Sequence, residues 1–175
     1  GNVYLGSPSD NSWTASGNIT LRFTDYSPAG ANTLNLKTTG AVALDSVGTS
    51  FTSALTTSNL ITSGQESSLT IGKSTNTSSV TLATAATVAG PITVYGSSIA
   101  VNANLQSTAS GAAVLLSSTG GISMAASKTI TTNGGAITLK ASSGGASVAG
   151  RGLDLSGGGI ALTSGGGNIA LGGGT

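Results

Sequence analysis

The chain has no cysteine and no histidine in 175 residues. Without cysteine there is no disulfide scaffold and no thiolate metal site. The same absence is compatible with export, because a long repetitive chain without thiols cannot be trapped in wrong disulfides. Without histidine, and with no lysine placed as a partner, none of the many serines has a base to activate it as a nucleophile. Charge is scarce too: six Lys and Arg and five Asp and Glu, 6% of the chain, with a net charge of +1. An ordinary domain carries about a quarter charged residues. The cations Arg22, Lys37, Lys73, Lys128, Lys140 and Arg151 are scattered along the chain. That excludes a polybasic nucleic-acid surface, and the near-neutral balance excludes an acidic shell. No apolar run approaches the roughly 18 residues that would cross a bilayer, and the start shows no signal-peptide pattern.

What the sequence has instead is a repeat. The apolar-x-apolar triplets are Ile19-Thr20-Leu21, Val42-Ala43-Leu44, Leu69-Thr70-Ile71, Ile92-Thr93-Val94, Val114-Leu115-Leu116, Ile137-Thr138-Leu139 and Ile160-Ala161-Leu162. They recur at intervals of about 23 residues, with one longer step between Val42 and Leu69. A period of this size, with one four-residue insertion, is the signature of a solenoid. Further triplets keep the same interval: Ile122 follows Ile99 by one period, and Leu153 follows Ile130 by one period. About three short strands per period leave a few residues for each corner, and the corners carry Gly, Ser, Asn and Thr as turns require.

Strands this short cannot bury an apolar side alone. Winding them into a single-stranded parallel β-helix stacks each strand about 4.8 Å from its counterpart in the next coil. Ile, Val and Leu then point inward. The middle residues point out, and all but Leu115 are small or hydroxylic. The expected architecture is all-β, about seven coils of roughly 23 residues plus a partial one at the N-terminus, as a rod roughly 30–40 Å long. One domain covers 1–175. Residues 1–68 are less regular with longer loops, and 69–175 hold the regular repeats. The abrupt Gly1 and the closing Gly172-Gly173-Gly174-Thr175 read as a segment of a longer chain.

Residues 1–51 hold five of the six aromatics, Tyr4, Trp13, Phe23, Tyr26 and Phe51, with Pro8 and Pro28. Trp13 and Tyr26 are candidates for a protruding sugar- or protein-binding patch, or for covering loops or the end of the solenoid. The insertion lies in residues 45–68, where Phe51, Leu55, Leu60 and Ile61 are strand residues or one helical turn, with Thr and Ser favouring strands. Gln65-Glu66 is expected in a solvated corner. Asn76, Asn102, Asn104 and Asn133 fall at or near corners, where Asn tolerates left-handed backbone and bonds neighbouring amides.

The carboxylates are Asp10, Asp25, Asp45, Glu66 and Asp154. Polysaccharide cleavage needs two or more acids together, or carboxylates holding Ca²⁺ beside a base. Asp25, Asp45 and Glu66 succeed one another at a little under one period, but the insertion breaks register there. The 13 glycines of residues 144–175 make no phosphate loop, since Gly150-Arg151-Gly152 and the later clusters have no following helix, and the calcium-binding GGxGxD pattern is absent. The outward Thr file is interrupted at Ala43, Leu115 and Ala161, so it does not form the flat hydroxyl rows that could match ice. The expectation is therefore no enzyme, no catalytic residues, no cofactor-binding residues, no metal ligands and no cofactor.

The stretch from about Leu69 to Leu171 resembles the repeat region of large bacterial filamentous haemagglutinin-like exoproteins and adhesins. The likeness is carried by LTIGKSTNTSSVTLATAATVAGPITVYGSSIAVNANLQST, GGISMAASKTITTNGGAITLKAS and GGGIALTSGGGNIALGG. The resemblance implies a right-handed parallel β-helix, export across the outer membrane, and a role as surface stalk or adhesin. The secretion domain and anchor of such proteins are not in this sequence, and no family site motif is present. The expected function is a structural or adhesive segment of a secreted or cell-surface bacterial exoprotein. The alternative is a carbohydrate-binding β-helix using Trp13 and Tyr26. Expected partners are the chain itself, end to end, and a host or neighbouring-cell surface glycan or protein, with no nucleic acid and no membrane span. The expected location is extracellular or on the bacterial outer surface.

Overall fold

The alternation of apolar and small polar residues turns every short strand into a two-faced ribbon, and the chain winds these ribbons into a parallel β-solenoid. The computed structural model describes residues 3–5, 11–28, 33–125, 127–141, 153–155, 161–163 and 169–173. The strands come in threes. β1 (Val3–Leu5), β2 (Asn11–Thr14) and β3 (Ile19–Phe23) precede β4 (Tyr26–Pro28), β5 (Leu34–Lys37) and β6 (Ala41–Ser46). Next are β7 (Leu55–Thr56), β8 (Leu60–Thr62) and β9 (Ser68–Ile71), then β10 (Val80–Leu82), β11 (Ala86–Val88) and β12 (Ile92–Gly96). β13 (Ile99–Val101), β14 (Leu105–Ser110) and β15 (Val114–Ser118) lead to β16 (Ile122–Met124), β17 (Thr129–Asn133) and β18 (Ile137–Ala141). β19 (Leu153–Leu155), β20 (Ala161–Thr163) and β21 (Ile169–Gly173) complete the set. No helix occurs among the described residues.

Every third strand shares a face. The third face is a seven-stranded parallel sheet in the order β3-β6-β9-β12-β15-β18-β21. The first face carries the five-stranded sheet β7-β10-β13-β16-β19 and, earlier in the chain, the pair β1-β4. The second face is split into β2-β5-β8 and β11-β14-β17-β20. The fold class is the expected one. The continuous rod is nearer five coils than seven: on the first face the ladder runs unbroken only through the five strands from β7 onward.

The register agrees with the triplet spacing through most of the chain. Ile19 pairs with Val42, Val42 with Leu69, Leu69 with Ile92, Ile92 with Val114 and Val114 with Ile137. It departs at the last step. Ile137 pairs with Ile169, not with Ile160, and Leu153 pairs with Ile122, not with Ile130. The reason is the corner after β18: residues 142–152 separate it from β19, whereas residues 97 and 98 alone join β12 to β13. The extra residues push each later strand further along the chain. Spacing alone could not detect this, since Leu153-Asp154-Leu155, Ile160-Ala161-Leu162 and Ile169-Ala170-Leu171 all fit the apolar-x-apolar pattern.

The inward files are dry. Val94, Val114, Leu116, Ile137 and Leu139 are fully buried, and Ile92 nearly so. Each such side chain contributes roughly 1.5–3 kcal/mol through burial. Near the N-terminus the interior is filled by aromatics: Phe23 stacks on Phe51 at 5.2 Å and contacts Tyr26 at 5.7 Å. Phe51 lies in the inserted corner, residues 47–54, and is buried there; Leu55, Leu60 and Ile61 are strand residues.

Buried hydroxyls satisfy the corner carbonyls between the second and third faces. Thr38 Oγ1 donates to Gly17 O, Ser107 Oγ to Gly90 O at 2.8 Å, and Thr132 Oγ1 to Gly135 O at 2.6 Å. Corner asparagines bridge coils. Asn104 Oδ1 accepts from the Thr129 amide at 3.1 Å, and Asn133 Nδ2 donates to Thr108 O at 3.1 Å. Asn76, fully enclosed, accepts from Ser50 Oγ at 2.8 Å and donates to Tyr95 O at 2.9 Å. It ties three consecutive coils together in the stretch where the corners are longest.

Candidate functional site

Trp13 and Tyr26, the aromatic pair expected to protrude, do not form one surface. Tyr26 is only 8% exposed. Its ring packs on Phe23 and its hydroxyl donates to Ser58 O at 3.2 Å. Burial pushes its phenol up to about 12. Trp13 is 43% exposed, yet it pairs in register with the fully buried Leu36. Side chains in register on parallel strands point the same way, so Trp13 belongs to an interior file. Its exposure comes from its place on β2, the edge strand of its sheet.

The three carboxylates whose side chains are described, Asp25, Asp45 and Glu66, have separate partners. Asp25 accepts from Thr52 Oγ1 at 2.7 Å. Hydroxyls of Ser53 and Thr52 hold its carboxyl below the usual carboxylate range. Asp45 faces outward on β6 between two cations on neighbouring coils, Arg22 Nε at 3.2 Å and Lys73 Nζ at 3.3 Å. The Lys73 contact is ionic only, since Asp45 Oδ1 receives no directed hydrogen bond. Lys73 Nζ instead donates to Ser46 O and Gly48 O, both at 2.8 Å, and so clasps the inserted corner.

Glu66 corrects an expectation. It is not in a solvated corner but completely buried. Its Oε1 accepts from the Ser63 amide at 2.5 Å and the Ser63 hydroxyl at 2.7 Å, and its Oε2 from the Gly64 amide at 3.0 Å. Gly64 has a φ of +83°, so this corner presents its amides inward where only an anionic acceptor can satisfy them together. Removing the charge of Glu66 is therefore expected to cost stability. Among the described residues no three carboxylates gather into a group able to hold a metal ion. Asp10 lies outside the described residues, as does Arg151.

The structure adds a groove that the sequence reading missed. Tyr95, Ser117 and Lys140 are register partners on β12, β15 and β18, so they form one outward file across three coils. Leu115 beside them and Ser74, Asn76, Gly96, Ser118 and Thr119 around them enclose about 420 Å³. The signal was available, because the file lies one residue beyond the apolar triplets. It went unnoticed because the repeat was counted on triplets alone.

No protein-family model matches the chain, and comparison with curated proteins and with solved structures finds no significant match. Among the described residues, no helix is long and apolar enough to cross a membrane.

Proposed function

We propose that this chain is a rigid structural or adhesive segment of a secreted or cell-surface bacterial exoprotein, a right-handed β-helical stalk of the filamentous haemagglutinin-like kind. The observation that carries the reading is the unbroken seven-stranded third face. Six strand-to-strand steps of about 4.8 Å give a rod of about 29 Å, held by a continuous interior and by side chains that bridge coils. Such a rod transmits position and resists proteases without a binding pocket at its centre. The scarcity of charge and the absence of histidine from the sequence support a non-catalytic role. The partners in this reading are other surface molecules, met through loops and outward files.

Antibodies raised against the purified segment test the location. The reading expects labelling of intact source cells or recovery from their medium; labelling only after lysis would overturn it. The segment displayed on beads tests adhesion, which the reading expects to exceed that of beads carrying an unfolded variant such as Ile92→Asp.

A further inference from the structure

We infer that the groove at Tyr95, Ser117 and Lys140 is a subsite for a carboxylated saccharide. The three side chains follow one another along the rod axis at about 4.8 Å per coil, a step comparable with the length of one pyranose ring. Tyr95 is half-buried and offers an aromatic edge and face for the apolar side of a sugar. Ser74, Ser117 and Thr119 bring hydroxyls that both donate and accept. Lys140 is exposed at the far end, and among the described residues it forms no ion pair.

Charge complementarity favours an acidic ligand. Among the described residues, no carboxylate lines the groove. Asp45 on β6 is already neutralised by Arg22 and Lys73. A carboxylate arriving at Lys140 gains a charge-assisted contact at an open site. A single cation suits one carboxylate per subsite rather than a dense polyanion, for which a net charge of +1 supplies little long-range attraction.

An acidic peptide fits less well. An extended peptide gains affinity by adding to a free sheet edge, but Ser117 and Lys140 are paired on both sides within the sheet, and Tyr95, paired with Ser117 on one side, has its carbonyl taken by Asn76 Nδ2 at 2.9 Å. The saccharide needs only side chains, which is what this face presents. The inference does not depend on the stalk reading, and either can fail without the other.

The test is titration calorimetry on the whole chain with a galacturonate tetramer, a neutral galactose tetramer and hexaglutamate. The expected result is saturable binding of the galacturonate that weakens with salt, with the neutral tetramer and hexaglutamate about ten-fold weaker or silent. Lys140→Gln should weaken galacturonate binding about ten-fold. Ser117→Glu should abolish it, and Lys128→Gln, outside the groove, should leave it unchanged. Circular dichroism melting of each variant verifies the fold. Absence of saturable binding, an unaltered Lys140→Gln, an equal loss in Lys128→Gln, or equal affinity for hexaglutamate would each overturn the inference.

Discussion

Gly90 sits so close to Ser67 of the preceding coil that a Cβ on Gly90 would come within 1.7 Å of the Ser67 carbonyl oxygen. The same corner repeats the approach at Gly135, where a Cβ would meet Ala112 O at 1.9 Å. Glycine here lets the backbone of one coil rest directly on the next.

Gly90→Ala therefore forces the two coils apart. The expected cost is about 3 kcal/mol, the upper part of the overpacking range, read as a lowered midpoint in urea. Gly17→Ala serves as control, since nothing lies within 4 Å of its Cβ position. Equal midpoints for the two variants would show that the coils do not stack as described.

Glu66 is the second test. Glu66→Ala leaves the part-buried Ser63 and Gly64 amides without their acceptor, at up to roughly 1–3 kcal/mol for each unsatisfied group. Glu66→Gln keeps the shape but places an NH₂ donor against an N–H donor, so it should also destabilise, by less. Thermal melting by circular dichroism checks both. Asp25→Asn, at a carboxylate held by the hydroxyls of Ser53 and Thr52 and the Ser53 amide at the surface, should shift the melt far less.

Tyr26 predicts an alkaline limit. Its phenol is pushed up to about 12 by burial, against about 10 when unfolded. Folding thus favours the neutral form. The contribution is fully present below about pH 10 and is lost as pH rises through about 12. Its size is about 2–3 kcal/mol. Tyr26→Phe should flatten the fall in stability between these pH values. A native-like fall in the variant would place the sensitivity elsewhere.

Lys73 and Arg22 share Asp45 unequally. The Arg22 side chain is 69% exposed, so its pair is worth less than about 1 kcal/mol. Lys73 also satisfies two carbonyls of the inserted corner. Lys73→Met should expose residues 47–54 to limited proteolysis, while Arg22→Met should leave the digestion pattern unchanged.

The coil register was legible in the sequence wherever the inward file alone decides it, from Ile19 to Ile137, because burying one face fixes a strand's register. It failed beyond Ala141, where several glycine-flanked apolar triplets compete and the pattern does not record the length of a corner. The contents of the corners were not legible either. Glu66 looks solvated in one dimension, and its burial follows from how Ser63 and Gly64 turn their amides. Tyr26 looks like a loop aromatic until Phe23 and Phe51 are brought beside it. The groove needed the register carried one residue further, to Tyr95, Ser117 and Lys140.

The central claim is that each coil advances the chain by one strand spacing along a straight axis. The absence of cysteine from the sequence makes clean spin-labelling possible. Thr20 and Thr138 face outward on β3 and β18, five steps apart on the third face. Labels introduced as Thr20→Cys and Thr138→Cys should give a narrow distance distribution centred at about 24 Å by double electron–electron resonance. Moving the second label from Thr138 to Leu115 should shorten it by about 5 Å. A broad distribution centred at about 60 Å, as a flexible chain of this separation would give, would contradict the account.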